Sequence, residues 1–195
     1  MKIILIILMI ILSGCTNDET IIKKPKENPL KNNFINQRMQ ITERVVGEAS
    51  TKIIDNGKNR VENINIACGK INGMKLASGD TFSFNQITGK KNKENGYKNA
   101  PVLVNGEKSY GIGGGVCQVS TTILLAAKKG GLQIAEQHNH TKPVGYAPKG
   151  MDATVVYGVK DLKIKNNTKE TLYIYAWVEN EKVFSKIIKK SIDIH

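Results

Sequence analysis

The sequence predicts an α+β fold in which two helices pack on a largely antiparallel β-sheet. Two segments carry apolar residues at helical spacing and end at glycines, while most of the remainder alternates in short runs between turn residues. Apolar residues make up 40% of the chain and charged residues 24%, which is ordinary for globular proteins and excludes wholesale disorder. The 195 residues are enough for one domain and a tail.

The N-terminal residues 1–14 predict a lipoprotein signal peptide. Lys2 precedes an apolar run over 3–12, which is well short of the ~20 residues that cross a bilayer as a helix. The segment Leu-Ser-Gly-Cys at 12–15 resembles a bacterial lipobox, in which the cysteine receives a diacylglycerol after cleavage. We therefore expect Cys15 to be lipidated and to hold the protein on the extracellular face of the cytoplasmic membrane. An ordinary secretory peptide with an incidental cysteine is the alternative.

Residues 15–37 predict the lipidated cysteine and a polar tether, because the stretch is charged and interrupted by Pro25 and Pro29. The domain then occupies 38–195. The formal net charge of +12 favours an anionic neighbour. Outside the cytoplasm the expected partners are the membrane, through the lipid anchor, and a cell-wall glycopeptide or anionic wall polymer, with no nucleic acid. A lysine excess that only solvates the surface is the alternative.

The first half of the domain predicts one helix and several extended segments. Residues 38–55 suit an extended segment. Apolar positions three or four residues apart predict a helix over 59–72, with Cys68 on its buried face. Strands are predicted at 81–84 and 102–104.

The second half predicts another helix followed by strands. The segment 116–129 is apolar on one face, follows three glycines and ends at Gly130, a common C-terminal stop. Beyond it, turn residues separate segments that alternate as strands do. These predicted strands are 132–134, 152–157, 162–164, 171–178 and 182–184.

The most unusual stretch is 111–118, in which glycines lead into a helix whose first turn carries Cys117. The free N–H groups and partial positive charge of a helix N-terminus lower the pKa of a cysteine and favour its nucleophilic thiolate. The same N–H groups can stabilise an oxyanion during acyl transfer. No Gly-Lys-Ser/Thr follows the glycines, which argues against a nucleotide-binding loop. The predicted substrate-binding and oxyanion residues are Gly113, Gly114, Gly115, Val116 and Gln118.

A nucleophilic cysteine needs a base, and His138, His140 and Asp152 follow it in the chain. The order Cys, His, Asp is that of transglutaminase-like and papain-like thiol enzymes, so a core of that kind is one interpretation. Cys117 would then attack, His140 would take the thiol proton, and Asp152 would orient the imidazole. His138 is a second candidate base.

Other interpretations of these residues stay open. Cys68 and Cys117 would form a disulfide in an oxidising compartment. His138 and His140 alternate, so on a strand they would share a face and bind a metal together with Cys117. Asp152 is equally suited to a turn before a strand. We expect neither a metal nor a cofactor, because no fourth ligand stands at an evident spacing.

Several separated motifs agree in order with one known family, from about residue 60 to about residue 178. They are GDTFSFN at 79–85, GY at 96–97, GGGVCQVSTT at 113–122, HNH at 138–140, GMDATV at 150–155 and DLK at 161–163. This set resembles the VanW family, whose signature cysteine and histidine match Cys117 and His140. Cys68 stands in place of a small apolar residue and Thr141 in place of a common serine. The resemblance implies a bacterial envelope protein, since the family is named for an accessory member of B-type vancomycin-resistance clusters.

Together with the predicted location, these observations favour a lipid-anchored envelope protein that works as a Cys-His-Asp thiol enzyme. It would cleave amides or transfer acyl groups in peptidoglycan or its peptide stems. The alternative is a non-catalytic module that binds the cell wall or a peptide, accessory to envelope processes or glycopeptide resistance. Ligand binding that survives Cys117→Ser without any product would favour the binding module.

Overall fold

The computed structural model describes residues 39–104 and 106–194. Cys15, the predicted signal peptide and the predicted tether lie outside the described residues. From Met39 onward the chain forms one compact unit. Within the described part, no helix has the length and apolar character that crossing a membrane requires.

The predicted α+β class is confirmed, and the two predicted helices at 59–72 and 116–129 are present. Each of them begins and ends within about one residue of its predicted bounds, because the pattern and the glycine stops are local signals. The order of elements is β1 (Met39–Lys52), α1 (Lys58–Ile71), β2 (Met74–Leu76), β3 (Thr81–Ser83), α2 (Phe84–Thr88), β4 (Asn99–Val104), β5 (Glu107–Ile112), α3 (Val116–Lys129), β6 (Gln133–Glu136), β7 (Lys163–Lys165), β8 (Leu172–Glu179) and β9 (Lys182–Ile194).

The largest sheet is four-stranded and antiparallel, with the strand order β1-β9-β8-β2. In β8, Leu172, Ile174 and Ala176 are buried while the residues between them are partly exposed, the alternation of a strand with one face on the core. α1 packs against β8, and α3 packs against β1 and β9. The two helices contribute to the core through Ile64, Ala67, Ile71, Val119, Ile123 and Ala127.

One glycine determines how closely β1 approaches α3. The register of β1 with β9 shifts between Val45 and Gly47. A Cβ added at Gly47 would lie 2.2 Å from the carbonyl oxygen of Ala126 and 2.7 Å from the amide nitrogen of Gly130. Only glycine therefore allows the strand backbone to contact the C-terminal end of α3. This contact positions the helix whose other end carries Cys117.

A second, three-stranded antiparallel sheet has the order β3-β7-β6, and β4 and β5 form a separate hairpin. Phe82 of β3 pairs with Ile164 of β7, and both side chains are fully buried. α2 begins after Ser83, whose hydroxyl accepts a hydrogen bond from the N–H of Gln86 as an N-cap. The sequence patterns did not indicate α2, β2 or β5, which are short or, in β5, largely exposed.

The predicted strand at 152–157 is wrong. Its backbone bonds to side chains of α3 instead of to another strand: the N–H of Ala153 donates to Thr121 Oγ1 at 3.0 Å, and its carbonyl accepts from Ser120 Oγ at 2.7 Å. In this segment only an isolated bridge between Val156 and Lys160 pairs backbone with backbone in the manner of a strand. Asp152, Ala153 and Val155 are buried whereas Val156 and Tyr157 are exposed, so burial follows the packing on α3 and does not alternate as in a strand.

Candidate active site

The three glycines at 113–115, here called the glycine loop, each pack against a different neighbour. A Cβ added to the middle glycine would lie 2.5 Å from the carbonyl oxygen of Pro101 in β4. A Cβ on the first would lie 2.8 Å from Cβ of Lys91, and one on the last would lie 2.9 Å from Cγ of Arg60. The first and last glycines also have φ of +86° and +103°, a region that favours glycine. The loop thus brings two cationic side chains and a hairpin against the start of α3.

The first turn of α3 leaves one backbone donor beside the thiol. The N–H of Val116 donates to Gly113 at 3.2 Å, and that of Gln118 donates to Gly115 at 2.9 Å. The N–H of Cys117 has no acceptor among the residues that the structure describes. This N–H, rather than that of Val116, is therefore available to a ligand oxygen.

Cys117 is partly buried, and hydrogen-bond donors surround its sulfur. The N–H of Val155 lies 3.5 Å from Sγ, and Thr154 Oγ1 lies 3.8 Å from it. The ring of His140 also acts on this sulfur, through hydrogen bonding and charge that lower the pKa of the thiol. Burial alone raises the pKa of the thiol, but these hydrogen bonds and the positive charge of His140 outweigh it, so the pKa of Cys117 lies below its ordinary value.

His140 is held between Cys117 and Asp152. Its Nδ1 lies 2.6 Å from Oδ2 of Asp152, and its backbone N–H donates to the same oxygen at 2.8 Å. The side chains of His140 and Asp152 are only 11% and 5% exposed. With Nδ1 bound to the carboxylate, Nε2 is the nitrogen available to the thiol.

The same contacts determine the charge states of His140 and Asp152. Burial lowers the pKa of His140. Hydrogen bonding and charge from Cys117 and Asp152 raise this pKa by more than burial lowers it, so the net shift is upward. Burial raises the pKa of Asp152, while hydrogen bonds from the N–H and ring of His140 and from Asn139 lower it overall. The arrangement favours a thiolate, an imidazolium and a carboxylate in sequence.

The amide of Gln118, a predicted substrate-binding residue, is occupied by the protein. The side chain is fully buried. Its Nε2 donates to Thr51 Oγ1 at 3.1 Å and to the carbonyl of Lys52 at 2.9 Å. Its Oε1 accepts from Nη2 of Arg60 at 3.3 Å. Gln118 therefore joins β1 to Arg60 at the border of the cleft, instead of presenting its amide to a substrate.

His138 does not join the thiol. β6 ends at Glu136, so His138 and His140 lie in a loop, and the strand that would place them on one face is absent. Nε2 of His138 lies 2.9 Å from Oε1 of Glu136, and Oε2 of the same carboxylate pairs with Nζ of Lys163 at 2.8 Å. Hydrogen bonds from Lys163 and His138 lower the pKa of Glu136 to about 2. Over 39–104 and 106–194, no group of three or more His, Cys, Asp or Glu residues is arranged to hold a metal.

Cys68 lies on the buried face of α1, as the helical pattern predicts, and is 3% exposed. Both Cys68 and Cys117 are free thiols in the structure, so the disulfide interpretation has no bond to support it. Burial raises the pKa of Cys68 to about 12. The two cysteines thus differ in reactivity, and Cys68 serves as an inert internal reference.

A cleft of about 800 Å³ borders Cys117 and His140. The glycine loop, the β4–β5 hairpin and the segment 154–157 form its walls. Exposed apolar side chains surround it: Ile54, Leu103, Tyr110, Ile112, Val156 and Tyr157. Among the described residues, the cationic side chains that line it are Arg60, Lys90, Lys91 and Lys108, and the acidic one is Asp55.

Three cleft residues were missed by sequence reasoning: Arg60, Lys91 and Tyr146. Burial raises the pKa of Tyr146, and the nearby charge of Cys117 raises it further, so its phenol is a neutral hydrogen-bond donor near the sulfur. Lys91 lies in the basic loop 90–96, between the predicted strands at 81–84 and 102–104. The one available signal was the glycine loop, since three consecutive glycines indicate close packing without naming the partners.

Residues 59–188 match the family model described as "VanW like protein". The chain is 39% identical over 136 residues to "Uncharacterized protein YoaR" of Bacillus subtilis (strain 168), which covers 70% of this chain and 45% of the relative. It is 30% identical over 135 residues to "Vancomycin B-type resistance protein VanW" of Enterococcus faecalis (strain ATCC 700802 / V583), which covers 67% of this chain and 49% of the relative. The chain therefore spans about half the length of these curated relatives.

The matched region contains Cys117, His140, Asp152 and both cationic residues that pack on the glycine loop. No solved structure matches the chain. The expected transglutaminase-like or papain-like core accordingly stays a prediction.

Proposed function

Since the chain belongs to the VanW family, as its motifs predicted, we propose that its cleft is the active site of a thiol enzyme of the cell envelope. The reaction is cleavage of an amide or transfer of an acyl group. The substrate is peptidoglycan or its peptide stems. Cys117 is the nucleophile, His140 the acid and base, and Asp152 the residue that orients His140.

One observation carries the proposal: the imidazole of His140 is hydrogen-bonded to the carboxylate of Asp152 and borders the same cleft as the thiol of Cys117, whose pKa it lowers. The pKa of Cys117 is lowered, and the pKa of His140 is raised, although burial opposes both shifts. Buried Cys68 shows the opposite behaviour of a structural cysteine, since burial raises its pKa. Shifts of this direction in a cleft are typical of catalytic cysteines.

The geometry supports a balanced two-step reaction. The thiolate of Cys117 bonds to the substrate carbonyl carbon, and the carbonyl oxygen takes the negative charge beside the N–H of Cys117. The imidazolium of His140 gives its proton to the leaving nitrogen, the C–N bond breaks, and a thioester remains. Water then gives a proton to His140 and attacks the thioester, which releases a carboxylic acid and restores the thiolate and imidazolium. An acceptor amine in place of water completes an acyl transfer.

Three observations support the envelope location and the substrate. The lipobox-like segment at 12–15 and the preceding apolar run fit a lipid anchor at Cys15. The relative from Enterococcus faecalis is named for vancomycin B-type resistance. The surplus of cationic side chains in the cleft suits a substrate rich in carboxylates.

Incubation of the full chain with soluble peptidoglycan fragments tests the proposal. We expect new amine or carboxyl termini in the fragments and an acyl adduct on Cys117, detected by mass spectrometry. Cys117→Ala abolishes both, whereas Cys68→Ala, which changes a buried thiol outside the cleft, retains them. Equal activity of Cys117→Ala and the unaltered chain contradicts the mechanism. Fragment binding with neither product nor adduct favours the binding module instead.

A further inference from the structure

The cleft carries positive charge that the protein does not neutralise. Within 39–104 and 106–194, none of the four cationic side chains that line it forms an ion pair. The one acidic lining residue, Asp55, accepts a hydrogen bond from the N–H of Gly57. A partly enclosed cleft of one charge sign concentrates ligands of the opposite sign. The charge therefore points to an anionic group on the substrate.

Of the four cationic side chains that line the cleft, Lys91 is the best positioned to bind an anionic group of the substrate. Its Nζ donates to Oδ1 of Asn85 at 2.6 Å and lies 5.4 Å from the ring centroid of Phe84. Its stem packs against the first residue of the glycine loop. Burial lowers the pKa of Lys91 to about 8, although the nearby charges of Cys117 and Asp161 act in the opposite direction. The ammonium is thus fixed close to the thiol and is mostly charged at pH 7.

Arg60 adds a second fixed charge on the other side of the glycine loop. Its Nη1 donates to the carbonyl of Pro101, and its Nη2 donates to Oε1 of Gln118, each at 3.3 Å. Its Nε is buried and has no hydrogen-bond partner in the part of the chain that the structure describes. All its acceptors are neutral, so the guanidinium charge is not compensated by a carboxylate, an arrangement that is costly without a ligand.

We propose that the cleft selects acyl substrates with a carboxylate beside the carbonyl that Cys117 attacks, and that Lys91 binds this carboxylate. The inference rests on the proposed function, because it names the substrate class of the same site. An ammonium has three N–H groups, and the two not used by Asn85 match the two oxygens of a carboxylate. Arg60 strengthens the local positive potential, and the apolar rim contacts the rest of the substrate.

Alkylation of Cys117 by iodoacetate and by iodoacetamide at pH 7 tests this inference. The full chain is used in a non-ionic detergent, and mass spectrometry identifies the labelled cysteine. In both reactions the thiolate sulfur bonds to the CH₂ carbon and iodide leaves, so the reagents differ only in carboxylate against amide. The readout is the ratio of the iodoacetate rate to the iodoacetamide rate, because the fraction of thiolate cancels from it.

We expect the ratio for Cys117 to exceed that for glutathione, and to fall on the order of tenfold in Lys91→Gln, the factor that one charge-assisted hydrogen bond contributes. Lys91→Arg keeps the charge and retains most of the ratio. Lys93→Gln is the matched control, since Lys93 is exposed and lies in the same loop but does not line the cleft.

A ratio equal to that of glutathione, or one unchanged by Lys91→Gln, overturns the inference. The proposed thiol chemistry has a separate readout in the same experiment. If iodoacetamide labels Cys117 no faster than glutathione while the ratio stays high and depends on Lys91, the carboxylate preference is supported and the activated thiolate is contradicted.

Discussion

Thr121 Oγ1 accepts a hydrogen bond from the N–H of Ala153 at 3.0 Å, which joins α3 to the segment that begins at Asp152. The same hydroxyl donates to the carbonyl oxygen of Cys117 at 2.7 Å. The helix that carries the thiol therefore also holds the residue that follows the carboxylate. Asp152, which binds His140, directly precedes the residue that Thr121 holds. The geometry of the site therefore depends on Thr121, a side chain that contacts no substrate.

Thr121→Val removes this hydroxyl at nearly constant volume. The buried N–H of Ala153 then lacks its acceptor, so we expect the free energy of unfolding to fall by about 1–3 kcal/mol. The rate of Cys117 alkylation at pH 6 falls as well, because Asp152 and His140 are less well positioned. Urea unfolding and iodoacetamide labelling measure the two effects.

Thr122→Val is the matched control for this prediction. Thr122 is also buried in α3, but its hydroxyl lies 2.7 Å from that of Thr51 in β1, away from Ala153. We expect it to lower stability and to leave Cys117 labelling unchanged. A Thr121→Val variant that loses stability but keeps the full labelling rate at pH 6 contradicts the positioning role.

The pH dependence of Cys117 labelling follows from the directions of the pKa shifts. An ordinary thiol has a pKa of ~8.5 and loses its reactivity as the pH falls through that value. Because the pKa of Cys117 is lowered, we expect labelling by iodoacetamide to persist to lower pH than labelling of an ordinary thiol. The sulfur also contacts Val155 and Thr154, which do not titrate; burial raises the pKa of nearby Tyr146, which keeps it neutral, and lowers that of nearby Lys91 to about 8.

Amide cleavage has an additional alkaline limit that alkylation lacks. The leaving nitrogen needs the proton of His140, so cleavage falls as the pH rises through the raised pKa of that imidazole. Alkylation needs only the thiolate and persists above that pH. Parallel pH profiles of the two reactions check this prediction, and identical alkaline limbs would count against His140 as the acid.

The fold was predictable where the signals are local, and less so where they are not. The spacing of apolar residues and the stop at Gly130 predict α3 from neighbouring residues alone. The sequence of segment 152–157 suggests a strand, but the backbone hydrogen bonds of its Ala153 go to Ser120 and Thr121, about 30 residues earlier in the chain. A periodic pattern reports which face is buried and not what buries it, so the strand prediction had no means of finding that partner.

The candidate site divides in the same way. The order Cys, His, Asp predicted that Cys117, His140 and Asp152 come together; in the structure His140 is hydrogen-bonded to Asp152, and both Cys117 and His140 border the cleft. Arg60 and Lys91 meet the glycine loop from α1 and from the loop after α2, and no spacing in the sequence relates them to it. Their role depends on packing between distant segments, which one sequence does not reveal.

Gly114→Ala is expected to destabilise the protein. The added Cβ would lie 2.5 Å from the carbonyl oxygen of Pro101 and 2.8 Å from backbone atoms of Ala100, so the β4–β5 hairpin must move. Overpacking against backbone costs about 1–3 kcal/mol, and displacement of the hairpin also slows Cys117 labelling. Thermal unfolding and labelling rates measure both.

For Gly69→Ala, which is the same chemical change, we expect the opposite effect on stability. Gly69 lies inside α1, and an added Cβ has no heavy atom within 4 Å. Alanine is the better helix former, so this variant gains about 0.5–1 kcal/mol and keeps its labelling rate. If both variants change stability in the same direction, the close approach of Gly114 to the hairpin is not what determines the effect.

The two histidines of the HNH segment separate catalytic from structural contributions. His138 pairs with Glu136 at 2.9 Å on a side chain that is 37% exposed, so His138→Ala costs less than about 1 kcal/mol and leaves Cys117 labelling at pH 6 unchanged. His140→Ala removes the hydrogen bond and charge that lower the pKa of Cys117, so labelling at pH 6 falls by about tenfold or more.

His140→Ala also leaves the carboxylate of Asp152 without its partner ring, whereas the backbone N–H of residue 140 and the amide of Asn139 still bind it. The fold therefore persists, and the labelling rates of the two variants compare the histidines directly. Equal losses in both variants would show that the HNH loop acts on Cys117 through its conformation and not through the imidazole of His140.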